Sequence, residues 1–150
     1  MSFQIRQATV HDLDVLVPLF DGYRQFYKQP SDPARARHFL TERFAHHESL
    51  ILLACDDRGA GLGFTQLYPM FSSVRAVRCY LLNDLFVVAE ARRHGVAKAL
   101  LMAAADQARA LGAASMSLAT ALDNTAAQAL YESLGWQREQ GFCEYGLTLA

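Results

Sequence analysis

The stretch Tyr80 to Leu101, YLLNDLFVVAEARRHGVAKALL, decides the fold. From Tyr80 to Val88 it is a nearly continuous apolar run of strand length, interrupted by Asn83 and Asp84, as in a strand covered on both faces. Ala91, Arg92, Arg93, His94 and Gly95 make a short, largely polar connection. From Val96 the apolar positions Ala97, Leu100, Leu101, Ala104, Ala108 and Leu111 recur at spacings of mostly three and four, the buried stripe of an amphipathic helix. The stretch therefore reads as strand, tight basic turn, helix.

A helix that opens on a glycine turn presents backbone N–H groups without intrahelical partners, and its aligned peptide dipoles put partial positive charge at the same end. Such an end binds phosphate. Arg92, Arg93 and Lys98 add mobile positive charge, while Gly95 and Ala97 keep side-chain bulk away from a pyrophosphate. A diphosphate is the expected ligand. No G-x-x-x-x-G-K-[ST] is present, and the turn lacks the three-glycine dinucleotide spacing and lies mid-chain, which excludes the two better-known phosphate loops.

The 150 residues suit one domain, 1–150, with its own hydrophobic core, and 52% apolar with 19% charged residues is an ordinary globular composition. Fourteen basic and fifteen acidic side chains leave a net charge of -1, so no global field attracts nucleic acid or an anionic membrane. Cys55, Cys79 and Cys143 are widely separated and lack metal-ligand spacing, which argues for reduced thiols in a cytoplasmic protein. His38, His46 and His47 make no metal site without further ligands, so none is expected. Neither a signal segment nor an apolar run near twenty residues is visible, and no membrane span is expected.

Taken in order, Phe3 to Ala8 alternates as a half-buried strand, and Thr9 with Asp12 starts a helix whose core face is Leu13, Leu16, Val17 and Phe20. Asp21, Tyr23, Arg24, Phe26 and Tyr27 lie on its polar face and at its end, before a break at Pro30 to Pro33. A second helix is predicted over Ala34 to His46, then a hairpin of strands Ser49 to Cys55 and Leu62 to Tyr68. Pro69 to Val77 reads as a loop. After the long helix, Ala114 to Thr120 is a strand that makes a right-handed parallel crossover with the Tyr80 strand. Asn124 caps a further helix with Leu130 and Leu134 in its core stripe, Thr125 and Gln128 form a capping-box-like pair, and Gly135 suits a left-handed C-terminal position. Trp136 onward, especially Phe142 to Leu149, reads as a final pair of strands.

Two motifs carry a family resemblance. Arg92, Gly95 and Ala97 make R-x-x-G-x-A, and Asn124, Ala127, Leu130, Tyr131, Gly135 and Trp136 match N-x-x-A-x-x-[LF]-Y-x-x-x-G-[FW]. In this order, separated by a helix and a strand, they make the chain resemble the GCN5-related N-acetyltransferase (GNAT) superfamily over nearly its whole length. The resemblance implies an α/β (α+β) fold: a mixed central sheet of six to seven strands, mostly antiparallel with a central parallel pair, and helices on both faces.

It also implies direct attack of an amine on the acetyl-CoA thioester in a ternary complex, with acetyl-CoA as co-substrate and no metal. The cofactor-binding set is then Leu85, Phe86, Val87, Arg92, Arg93, His94, Gly95, Val96, Ala97, Lys98 and Asn124. A backbone N–H from Leu85 to Val87 is expected to stabilise the oxyanion. Tyr131 aligns with the superfamily's general acid, and Asp84 is the candidate base. Asn83 and Asp84 are adjacent, so on a regular strand they face opposite ways unless a bulge intervenes. Tyr23, Tyr27, Tyr68 and Asn83 are the substrate-binding candidates.

A narrower likeness runs through Gly63, Phe64, Tyr68, Phe71, Ser72, Leu82, Asp84, Phe86 and Val87, which resemble the diamine (spermidine/spermine) acetyltransferase branch and the neighbouring Hpa2-like group. That branch reads L-E-D-F-F-V where this chain has Leu82-Asn83-Asp84-Leu85-Phe86-Val87, so its amine-deprotonating glutamate is replaced by Asn83. The implied acceptor is a small primary amine: an amino acid, a lysine analogue or a polyamine. The alternatives are a protein or peptide N-acetyltransferase and a non-catalytic acetyl-CoA-binding regulatory domain. A homodimer through the edge of the Phe142 to Leu149 strand is expected from the superfamily's habit.

Overall fold

The computed structural model describes all 150 residues. Their contacts form two units, Met1–Ala119 and Thr120–Ala150.

The first unit is a five-stranded sheet flanked by three helices. Its strands β1 (Phe3–Gln7), β2 (Leu50–Asp56), β3 (Gly61–Ser72), β4 (Val77–Val87) and β5 (Ser115–Ser117) lie side by side in chain order. Pairing is antiparallel up to β4, and β5 runs parallel to β4. Thr9 and Asp12 do close a capping box, but it starts a single 3-10 turn, Val10–Asp12, leading into α1 (Leu13–Phe26). α2 (Pro33–Ala45) begins where the Asp32 side chain accepts from Arg35 N at 3.0 Å, with Pro33 at the position where a missing N–H costs nothing. α3 spans Val96–Ala110.

The two faces of the sheet are buried differently. Ile51, Leu53 and Phe64 share a core with Leu16, Phe20, Ala36 and Leu40 of α1 and α2. Because strand side chains alternate, Leu50, Leu52 and Ala54 point to the opposite face, and α3 packs on the sheet with Val96, Leu100, Leu101, Ala104 and Ala108 buried. Double coverage explains the unbroken apolar run in β2.

Pro69 to Val77 is mostly strand rather than loop, and the connection shrinks to residues 73–76. Pro69 is tolerated because it lies beyond Leu67, the last β3 residue paired with β2, where β3 has a partner on one side only. Asp21, placed by its spacing on the polar face of α1, is buried instead. It accepts from Gln25 Nε2 at 3.1 Å, Ser31 Oγ at 2.7 Å and Asp32 N at 2.7 Å, tying the α1–α2 connection to the helix that carries Tyr23.

In the second unit α4 (Thr125–Ser133) is capped by Asn124, whose Oδ1 accepts from Ala127 N at 3.3 Å. The Thr125–Gln128 pair does not form, since Gln128 Nε2 donates to the Ala121 and Leu122 carbonyls, each at 3.1 Å. Gly135 takes the expected left-handed conformation at φ +94°. Leu130, Leu134 and Trp136 are half-buried rather than core.

Residues 136–150 form no strand, which corrects the expected strand count from six or seven to five and puts the parallel pair at the sheet edge rather than its centre. Alternation marks residues that suit a pleated surface, but a strand exists only where a neighbour completes its hydrogen-bond ladder.

Candidate active site

The decisive irregularity is in β4. Gln66 pairs with Asp84 and Leu67 with Leu82, so Asn83 is an extra residue without a partner on β3, a β-bulge. The bulge brings two consecutive polar side chains together, and Asn83 Nδ2 donates to Asp84 Oδ1 at 2.7 Å. Gln66 Nε2 donates to the other carboxylate oxygen, Oδ2, at 2.7 Å, and the Asp84 carbonyl accepts from Thr65 Oγ1 at 2.8 Å.

Asp84 is 1% exposed. Burial pushes its pKa up to about 6, against the opposing pull of the hydrogen bonds from Asn83 and Gln66. Neither an arginine nor a lysine is paired with it.

Two phenols converge on this carboxylate. Tyr23 Oη of α1 donates to the Asn83 carbonyl at 3.3 Å, and its ring packs against Phe64 at 5.9 Å. Burial raises its pKa, with the charge of Asp84 adding to the shift. Tyr68 of β3 is pushed up to about 12 by the same two causes in the same order. Both phenols are therefore neutral donors at neutral pH. Tyr27 stands outside this group, exposed, with its ring edge-on to Tyr23 and the two ring centroids 5.2 Å apart. Asp84, Asn83, Tyr23 and Tyr68 are thus gathered at one place, with Tyr27 at its margin.

The same strand opens at its far end. The ladder between β4 and β5 covers only Cys79 to Leu81. Val88 N donates back to Leu62 O at 2.9 Å on the β3 side. By alternation Phe86 N–H also faces β3, whereas Leu85 and Val87 direct theirs away from it. Of the three expected oxyanion residues, geometry therefore favours Leu85 and Val87. Gly63 is needed opposite them, because a Cβ there would lie 2.6 Å from the Phe86 carbonyl oxygen.

The turn after β4 reverses through Arg93 at φ +63° and Gly95 at φ +81°. Gly95 is the N-cap of α3 and offers no side-chain cap, and the first helical bond runs from Ala99 N to Gly95 O at 3.0 Å. The N–H groups of Val96, Ala97 and Lys98 consequently have no helical partner. A Cβ on Gly95 would meet nothing within 4 Å, so its left-handed backbone, rather than lack of bulk, is what requires glycine.

Arg92 departs from expectation as well. Its Nε donates to the Val87 carbonyl at 3.0 Å, and its guanidinium lies 5.9 Å from the Phe26 ring centroid and 6.0 Å from that of Phe86. It braces the exit of β4 instead of standing free. Arg93, His94 and Lys98 are exposed around the helix start. Three partnerless N–H groups and exposed positive charge fit a diphosphate.

Asn124 and Tyr131 belong to the second unit. Asn124 is the cap of α4, and the Tyr131 ring is 6.3 Å from that of Trp136. No motif marks Gln66 or Thr65 in the sequence, and Asp21 reads there only as a polar-face residue. The available signal was a pair of polar residues, Thr65 and Gln66, inside the apolar run of β3.

No group of three or more His, Cys, Asp or Glu side chains is placed to hold a metal ion. No helix is long and apolar enough to cross a membrane.

The chain matches the model of the acetyltransferase (GNAT) family over residues 16–136. It is 48% identical over 145 residues to a Bacillus subtilis (strain 168) protein named uncharacterized N-acetyltransferase YhfO, with 97% of each chain covered. It is 39% identical over 100 residues to a probable acetyltransferase of Haemophilus influenzae (strain ATCC 51907 / DSM 11121 / KW20 / Rd), covering 67% of this chain and 68% of that one. A solved structure of a probable acetyltransferase superposes with a TM-score of 0.93 at 45% identity, covering 98% of both chains. The chain belongs to the GNAT family and is an acetyltransferase.

Proposed function

We propose that residues 1–150 act as one catalytic domain that transfers an acetyl group from acetyl-CoA to the primary amine of a small molecule, by direct attack in a ternary complex. The observation that carries this reading is the buried Asp84 carboxylate, held by two amides beside the neutral phenols Tyr23 and Tyr68. A lysine-like amine with a pKa of about 10.4 is neutral in only roughly one molecule in a few thousand at pH 7. A carboxylate whose pKa is raised to about 6 is better matched than an ordinary one to removing that proton near neutrality.

The remaining roles belong to the same proposal. The N–H groups of Val96, Ala97 and Lys98, with the side chains of Arg93, His94 and Lys98, hold the diphosphate of the donor. Arg92 fixes the turn through Val87. The Leu85 and Val87 N–H groups face the developing oxyanion. Tyr131 protonates the departing thiolate, and Asn124 holds α4 and approaches the pantetheine arm. Tyr23, Tyr27, Tyr68 and Asn83 line the acceptor side. Asn83, standing where the diamine branch has glutamate, favours an acceptor class broader than polyamines, including amino acids and lysine analogues.

The protein is further proposed to be a cytoplasmic homodimer. Phe142, Tyr145, Leu147 and Leu149 are 84–95% exposed on a segment with strand alternation and no ladder, and a second copy of the chain would cover them. Cys55, Cys79 and Cys143 are free thiols, as in a reducing compartment. Sedimentation equilibrium tests the dimer.

An acetyl-CoA-dependent thiol-release screen across amino acids, polyamines, aminoglycosides and peptides tests the activity. Release with a small amine supports the proposal. Acetylation of peptides alone would transfer the reading to a protein acetyltransferase, and acetyl-CoA binding without turnover on any acceptor would leave a regulatory domain.

A further inference from the structure

Gln66 is a costly residue for its position. It sits in the middle of β3, fully buried, opposite Ile51 on one neighbour and Asp84 on the other, with Phe64 two residues away on the same face. One end of its amide is used, Nε2 donating to Asp84 Oδ2 at 2.7 Å. The other end, Oε1, is buried with no hydrogen-bond partner. A buried acceptor left unpaired is destabilising, and methionine or leucine would fill the same space without that penalty. Packing does not explain the glutamine.

We infer that Gln66 is the positioning residue for the base: its Nε2 holds the Asp84 carboxylate ionised and in place, and its unpaired Oε1 is the acceptor that the protonated acid needs. The ionised carboxylate accepts from Nε2. Once the amine's proton has moved to an Asp84 oxygen, that oxygen is a donor and a facing N–H no longer satisfies it. Rotation of the amide end for end presents Oε1 to the new O–H. The charged pair is the stronger of the two arrangements, so the net action of Gln66 is to lower the pKa of Asp84 against the upward push of burial.

The groups facing Asp84 from the packed elements are few. Tyr23 approaches from α1, Tyr68 and Gln66 from β3, and Asn83 from β4 itself, while Arg43 of α2 acts on Tyr68. Both phenols stay neutral well above neutrality, so a titration between pH 4 and pH 8 in this cluster belongs to Asp84.

The role rests on the assignment of Asp84 as base, but its test does not need turnover. The Asp84 carboxyl carbon is titrated by NMR in the parent protein and in Gln66→Met, alongside thermal unfolding at pH 5 and pH 8. The expected result is a rise of about one pKa unit in Gln66→Met, as for loss of a charge-assisted hydrogen bond. By linkage, the variant then loses Tm relative to the parent as pH rises from 5 to 8, and the pH dependence of that loss disappears in an Asp84→Asn background. A purely packing role predicts a Tm difference that does not change with pH. An unshifted Asp84 titration, or a pH-independent Tm difference, overturns the inference. A shifted titration with kcat/KM still insensitive to it supports Gln66 as the tuner of Asp84 and instead removes Asp84 as the base.

Discussion

Asn83 and Asp84 are consecutive in β4, yet Asn83 Nδ2 donates to Asp84 Oδ1 at 2.7 Å. On a regular strand the two side chains would project from opposite faces. The bulge at Asn83 cancels that alternation and converts two separate polar residues into one hydrogen-bonded unit. It also exposes an energetic conflict, because a carboxylate with a pKa raised to about 6 is held against its preference for water.

Asp84→Asn is expected to slow turnover while stabilising the fold. The native pKa lies above the unfolded value of about 3.9, so the native state binds the proton more tightly and stability falls as pH rises from about 4 through about 6. A shift of about two units corresponds to roughly 2–3 kcal/mol of penalty at pH 7. Thermal unfolding should show the variant gaining stability at pH 7 and little at pH 4. Turnover should fall by a factor on the order of 10² or more. Undiminished turnover removes Asp84 from the mechanism.

The parent enzyme should show an acid limb in kcat/KM with a midpoint near the Asp84 value of about 6. Activity declines below that pH as the carboxylate becomes protonated. A pH–rate profile that stays flat between pH 5 and pH 7 contradicts the assignment.

Gly95→Val should raise the acetyl-CoA dissociation constant and destabilise the protein. The site has room for a side chain, but a β-branched residue at φ +81° costs on the order of 1–2 kcal/mol. Arg92→Glu should weaken binding by a different route, through loss of the brace on the Val87 carbonyl. Titration calorimetry with acetyl-CoA measures both, and an unchanged constant in both variants means the turn does not hold the donor.

Tyr131→Phe should reduce turnover by a factor on the order of 10² while leaving the acetyl-CoA dissociation constant nearly unchanged, because only the phenolic proton is removed. Full activity in this variant eliminates the acid role.

Acid stability should depend on Asp12. Its side chain is 12% exposed, and the hydrogen bond from Arg6 is the main cause of a pKa lowered to about 2. A depressed native pKa gives stability that is present above about pH 4 and lost as pH falls towards 2. Asp12→Asn should therefore cost about 1 kcal/mol at pH 7, after allowance for screening at the half-exposed Arg6, and much less at pH 2. Unfolding midpoints at the two pH values check this.

The sequence by itself determined the order of elements through β5 and the family. Strand and helix periodicities are local, the turn at Arg92 to Ala97 is contiguous, and the second motif spans a single helix and its two ends. The same local patterns marked Asp84 and the helix start at Val96. Tertiary structure decided what periodicity does not encode. A bulge depends on the register of two strands, so the union of Asn83, Asp84 and Gln66 emerges only when β3 lies beside β4. Burial of Asp21 depends on where α2 turns back. Arg92 reads as a free cation until the Val87 carbonyl is placed within reach of its Nε. Tyr145, Leu147 and Leu149 alternate as in a strand, and they make no strand here because a ladder requires a second backbone that no single segment supplies.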